Sequence, residues 1–148
     1  MPATAHRPDH PHPGYSAPHH NRGTSAMAIH LHKGFFSTHA EVLEDIKRTG
    51  FWPTTLIAPA SPELPMHWHD CEVHTYVIAG STATLDGVTG ERVAMQTGDK
   101  LVIPAGVIHA ECSTEEDITY VVAVPTPPRF GEFLTLLPPE TAPPYTGD

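Results

Sequence analysis

Residues 67–80 read HWHDCEVHTYVIAG and residues 98–109 read GDKLVIPAGVIH. In each, a β-branched and aromatic run (Val73 to Ile78, Leu101 to Ile103) is bounded by a turn built on glycine or proline, the pattern of a short strand. His67 and His69 are two residues apart. Alternate side chains of a strand share a face, which sets these two imidazoles about 7 Å apart on one side of a sheet. That spacing suits two ligands of one ion, although an H-x-H pair also fits histidines that only make hydrogen bonds. Forty residues after His69, a turn at Gly98, a strand and a Pro104–Gly106 corner deliver His109 at a further strand start. A third histidine moves the reading toward metal ligation.

Working outward, the surrounding chain reads as all-β. Strand-like runs fall at Thr54–Ala58, Met66–Asp70, Val73–Ala79, Thr82–Asp86, Arg92–Gln96, Lys100–Ile103, Val107–Cys112 and Ile118–Val124. Turn markers separate them at Gly80, Asp86-Gly87, Thr89-Gly90, Thr97-Gly98-Asp99 and Pro104-Ala105-Gly106. Turns this frequent predict an antiparallel sandwich or small barrel rather than βαβ units. One N-terminal helix is expected over Ser37–Arg48. Thr38 can cap it, Glu41 stands three residues on as in a capping box, Val42, Leu43 and Ile46 form an apolar face, and Gly50 supplies the stop. Phe130–Leu137 is read as a short C-terminal helix packed on the barrel.

Prolines and histidines mark the boundaries of the domain. Five of the 17 prolines lie in the first 18 residues and seven in the last 24, so the core is central. Residues 1–33 are read as a His/Pro-rich N-terminal segment, 34–137 as the domain and 138–148 as a Pro-rich tail. Over 1–26 large apolar side chains are almost lacking, and such a segment cannot offset the entropy of ordering. Its His6, His10, His12, His19 and His20 could gather metal loosely or do nothing specific. The net charge of −9, with only eight Lys and Arg, argues against nucleic acid and anionic membrane as partners. Apolar runs such as Tyr120–Val124 fall far short of the ~20 residues of a membrane helix. No secretory leader is read at the N-terminus, so Cys71 and Cys112 are expected to be thiols and the protein cytoplasmic.

The two quoted stretches resemble the paired motifs of the cupin superfamily, H-x-H with a glutamate three or four residues on and a glycine about six further, then G-x5-P-x-G-x2-H. The second matches at every fixed position through His109, with Ser113 where an asparagine is usual. The resemblance spans roughly 51–125 and implies a jelly-roll-like cupin β-barrel, a divalent ion on His67, His69 and His109, a small-molecule substrate and a homodimer. The first motif departs at its glutamate, which would fall at Val73 under one spacing and at His74 under the other. His74 as a fourth ligand, Glu72 as the ligand, and a three-histidine site with His74 turned outward all stay open. Val73 and His74 point to opposite faces, and the connecting turn decides which faces in.

Neutral imidazoles leave the charge of an ion uncompensated, so a histidine site favours enolates, carboxylates, catecholates or thiolates. The resemblance makes Fe(II) the favoured metal and dioxygenase-type chemistry on a small anionic or chelating substrate the leading expectation. Imidazole also suits Mn, Ni, Zn and Cu. The alternatives are a metal-dependent lyase, isomerase or decarboxylase, and a non-catalytic ligand-binding cupin. Glu72 and Tyr76 are the candidate proton-transfer groups, with Tyr120 a further cavity aromatic. Trp68, between two ligands, must face away from the metal and pack on a second sheet or a subunit.

Overall fold

The computed structural model describes residues 27–129 and 133–147. The expected lack of order over 1–26, and the beginning of the helix expected at Phe130, lie outside the described residues. In chain order the elements are β1 (His30–His32), α1 (His39–Thr49), β2 (Trp52–Ala58), β3 (Val73–Ala79), β4 (Ser81–Asp86), β5 (Arg92–Gln96), β6 (Lys100–Ile103), β7 (His109–Glu111), β8 (Ile118–Val124) and a single 3-10 turn at Pro139–Thr141. The strands pair antiparallel in a five-stranded sheet, β1-β6-β3-β8-β2, and a three-stranded sheet, β5-β4-β7. The antiparallel all-β class read from the turns holds, with one α-helix among the described residues, ahead of the second strand.

The five-stranded sheet has two differently used faces, and strand alternation sorts its residues between them. Thr75 pairs with Leu101 and Val122, so these side chains share the inner face with Val73, Val77, Ile103, Ile118 and Val124, and Met95 of β5 packs into the same core. The outer face carries Tyr76, Val121 and Ala123, on which Val42 and Ile46 of α1 pack together with Phe36. Both ends of α1 are built as its sequence predicts. Thr38 and Glu41 make the two reciprocal bonds of a capping box, and Gly50, at φ 73°, donates its N–H to the Ile46 carbonyl at 3.0 Å.

A polar knot fixes the helix to the sheet. The buried Asp45 carboxylate accepts from the Tyr76 hydroxyl and from Lys100 Nζ, each at 2.6 Å. Lys100 Nζ also lies 4.8 Å from the Phe35 ring centre and 5.3 Å from that of Tyr76, so its charge is met by a carboxylate and two aromatic faces.

Three local expectations change. The domain begins before residue 34: Ala28 and Ile29 are buried and β1 pairs with β6. The Asp86 carboxylate pins this stretch by accepting from the Ala28 N–H at 2.7 Å. A three-residue strand reading His-Leu-His and followed by Lys33 and Gly34 has too little apolar alternation to be read from sequence. Met66–Asp70 is not a continuous strand, and holds only single bridges from His67 to His109 and from Trp68 to Leu137. The C-terminal helical element is the 3-10 turn at Pro139–Thr141. Residues 133–137 are non-helical, because Leu137 pairs with Trp68 as a strand would, its N–H and carbonyl both bonded there. No described helix is long and apolar enough to cross a membrane.

Replacing Asp45 by Ala leaves the Lys100 ammonium buried without its anion, and a loss of roughly 3–5 kcal/mol of unfolding free energy is expected at neutral pH. Burial alone would raise the Asp45 pKa from 3.8, but the bonds from Lys100 and Tyr76 and the charges of Lys100 and Arg48 outweigh it and hold it below that value. A carboxyl depressed in the folded state adds stability that is present above its unfolded pKa and lost as pH falls through the folded one. Denaturant titrations of wild type and Asp45→Ala should therefore differ most at neutral pH and converge as pH drops below 3.8.

Candidate metal centre

His67 and His109 face each other across a pair of backbone bonds, each N–H donating to the other's carbonyl at 2.9 Å. This doubly bonded bridge fixes the two side chains side by side, with ring centres 4.5 Å apart. His69, on the same side as His67, completes a triangle at 5.2 Å from His67 and 5.1 Å from His109. One ring nitrogen from each lies within 4.8 Å of the other two, and all three residues are buried. The corner that delivers His109 requires Gly106, whose φ is +80° and whose N–H donates to the His69 carbonyl at 2.9 Å. A Cβ there would stand 2.6 Å from Pro143 Cγ in the C-terminal segment, so both conformation and space exclude a side chain.

Each imidazole is bonded through Nδ1 to a backbone carbonyl, His67 to Pro65 at 2.7 Å, His69 to Thr135 at 2.9 Å and His109 to Val107 at 2.8 Å. A carbonyl can only accept, so Nδ1 must carry the proton and the neutral ring presents a lone pair at Nε2. His109 Nε2 is buried without a hydrogen-bond partner among the described residues. Burial lowers the pKa of His109 to about 4, and burial likewise lowers that of His69. For His67 burial acts in the same direction, but Glu111 and the Pro65 carbonyl outweigh it and raise the value. Buried, mostly neutral imidazoles with Nδ1–H tied to carbonyls and Nε2 turned to a common point fit a divalent ion.

A fourth group stands here that the sequence reading missed. Glu111 is two residues after His109 on β7, so it shares the face of His109. Its Oε2 lies 3.4 Å from His67 Nε2 and its Oε1 3.9 Å from His109 Nε2. Burial would raise the Glu111 pKa, but its interactions with His67 and His109 lower it. The signal is in the sequence: the two-residue rule that joins His67 to His69 also joins His109 to Glu111.

The other expected site residues go elsewhere. Val73 is the residue that faces the core, so His74 lies on the opposite face of β3, apart from the three clustered histidines. Its ring sits 4.5 Å from that of Phe51 and its Nε2 2.6 Å from Glu72 Oε1. Glu72 is thereby turned to His74 and away from the three histidines. Tyr76 is on the outer face, bonded to Asp45, and burial raises its pKa far above the usual range. Neither is placed to move a proton at the site. Trp68 does face away from the histidines and holds the C-terminal segment, Nε1 donating to the Pro138 carbonyl at 3.0 Å and to Thr141 Oγ1 at 3.2 Å. Tyr120 and Cys112 line the cavity, whereas Cys71 lies outside its lining. Both cysteines are free thiols.

The cavity beside the histidines has a volume of about 290 Å³, at the low end for ligand sites and suited to a small substrate. Its wall is largely apolar, with Leu56, Leu64, Leu101, Ile118, Val122 and Phe133, and its polar points include Thr75, Thr82, Thr84, Tyr120 and Glu111.

Two antiparallel sheets with an H-x-H segment and a post-corner histidine gathered in one buried cluster, His67 and His69 also lining the adjoining cavity, define a small cupin with a candidate metal centre. Residues 54–125 match the family described as the cupin domain, and the chain belongs to the cupin superfamily. No curated protein matches the sequence. Among solved structures, the chain is similar to a cupin-2 domain containing protein from Shewanella frigidimarina, at 20% identity and a TM-score of 0.45 over 52% of this chain and 72% of that one. It is similar to the DMSP lyase DddQ from Ruegeria pomeroyi at 21% identity and a TM-score of 0.45, over 51% of this chain and 38% of that one. The polyketide cyclase RemF from Streptomyces resistomycificus is similar at 26% identity and a TM-score of 0.44, over 53% of this chain and 57% of that one.

Changing His74 to Gln removes the Phe51 ring contact on the outer face without touching the cavity. The expected result is a stability loss of roughly 1–2 kcal/mol by denaturant titration, with cobalt(II) affinity and absorption unchanged. A tenfold loss of cobalt affinity would return His74 to the coordination sphere.

Proposed function

We propose that this cupin is a metal-dependent oxidoreductase of the dioxygenase type, acting on a small anionic or chelating substrate, with Fe(II) held by His67, His69 and His109. The observation that carries the reading is the set of three carbonyl-tied imidazoles whose Nε2 lone pairs converge, one of them buried with no partner among the described residues. When bound, the ion supplies a Lewis acid and a redox centre with positions left open to small ligands.

The chain's own residues prepare the rest. The carbonyls of Pro65, Val107 and Thr135 hold the ligand tautomer, so binding needs no ring rotation. The apolar wall excludes water, which strengthens any electrostatic contact to an anionic substrate and admits a small apolar co-substrate such as dioxygen. Burial raises the Tyr120 pKa, so its hydroxyl stays protonated and can donate a hydrogen bond to a substrate oxygen. We propose a homodimer as well, supported by Trp52 and Ile57, exposed on the sheet-edge strand β2. Sedimentation equilibrium checks it, with twice the mass of 16.0 kDa expected.

The decisive measurement is dioxygen uptake by Fe(II)-loaded protein across small enols, catechols and thiols. Uptake with at least one class, reduced more than a hundredfold in His109→Ala, is expected. Turnover of any of them without dioxygen would replace this reading with a non-redox lyase, isomerase or decarboxylase. Absence of both would leave a ligand-binding cupin.

A further inference from the structure

We propose that Glu111 supplies the carboxylate ligand of this metal centre, entering from β7 beside His109 and taking the place of the carboxylate missing from β3. The inference rests on the reading of His67, His69 and His109 as metal ligands, and deepens it. The β3 position is closed to an acid because Val73 fills it within the core, and the neighbouring Glu72 is bonded to His74 on the other face. Glu111 lies where those two cannot reach.

Spacing supports direct ligation. Atoms bound at about 2.0–2.2 Å to one ion stand about 3–3.5 Å apart when adjacent. Glu111 Oε2 is 3.4 Å from His67 Nε2, and Oε1 is 3.9 Å from His109 Nε2. The histidine triangle, with its ring nitrogens within 4.8 Å of one another, forms without Glu111, so the carboxylate adjoins its His67–His109 edge.

Electrostatics gives the stronger reason. With Nδ1–H of both rings committed to carbonyls, neutral His67 and His109 turn lone pairs toward a carboxylate. Lone pair facing lone pair repels in a buried site. A proton on His67 Nε2 relieves only its own contact with Glu111 Oε2, at 3.4 Å, and leaves His109 Nε2 buried with no hydrogen-bond partner among the described residues. Orphaned buried groups of this kind are destabilising. A cation among the four side chains satisfies every one of these atoms together. The Glu111 side chain is 38% exposed, and that surface is the wall of the cavity it lines, so this ligand borders the space open to substrate. With one carboxylate the centre carries one net positive charge rather than two, which selects monoanionic chelators over dianions.

Cobalt(II) tests this in the full chain with His6, His10, His12, His19 and His20 changed to Ala, so that the N-terminal histidines bind nothing. Titration calorimetry and visible absorption are compared for this parent, Glu111→Gln, Glu63→Gln as a surface control and His109→Ala, with circular dichroism and melting temperature recorded for each. The expected result is one cobalt per chain in the parent and the control. In Glu111→Gln the fold is retained, affinity is at least tenfold weaker and the ligand-field bands change in position or intensity. Weakened binding with unaltered bands would place Glu111 outside the coordination sphere and overturn the proposal, as would unchanged affinity. If Glu111→Gln does not fold, Glu111→Asp is read in its place, with altered bands expected and unaltered bands overturning the proposal. Loss of cobalt in His109→Ala alone would leave the histidine site standing without Glu111. Failure of the parent to bind, or full binding by His109→Ala, would overturn the underlying metal site itself.

Discussion

Three hydrogen bonds from imidazole Nδ1 to backbone carbonyls, at Pro65, Val107 and Thr135, decide how the rest of the site is built. Two of the carbonyls lie two residues before the histidine they hold, so His67 and His109 are oriented by the backbone just before them. The third comes from the C-terminal segment, far off in sequence. His69 therefore depends on that segment being docked, and the docking is explicit: Leu137 pairs with Trp68, the indole N–H reaches Pro138 and Thr141, and Pro143 packs on Gly106. The Pro-rich end of the chain thus belongs to the site as well as to the fold.

The five-stranded sheet keeps chemistry and anchorage apart. On β3, Val73, Thr75 and Val77 face the cavity and core, while His74 and Tyr76 face the helix side. The helix is held there by the Asp45, Lys100 and Tyr76 cluster, a buried charge pair made tolerable by an added hydroxyl donor and two aromatic rings. The Asp45–Lys100 charge pair on that face is satisfied internally. On the cavity face, His109 Nε2 and Glu111 Oε2 are buried without a hydrogen-bond partner among the described residues.

Burial does two things at the site. It holds His69 and His109 neutral by penalising the imidazolium, which keeps their lone pairs free for a ligand role. It also surrounds the polar points of the cavity with a largely apolar wall, where a charge is screened less than in water.

Much of this was legible in order along the chain. Turn spacing indicated an antiparallel β domain, the Thr38–Glu41 capping box and Gly50 bounded the helix, and the period of two placed His67 and His69 together. The motif ending at His109 joined them across forty residues. What sequence could not decide were the questions settled by contacts between distant segments. Whether Val73 or His74 faced inward depended on the pairing of β3 with β6 and β8, since a one-residue rotation exchanges the two. The strand at His30–His32 exists because Asp86 and β6 receive it, and residues 133–137 are non-helical where Trp68 offers a partner. Glu111 obeys a rule visible in sequence, yet its nearness to His67 follows from the bridge between His67 and His109. Local spacing determines which side chains share a face of one strand; only backbone pairing between strands determines which faces meet.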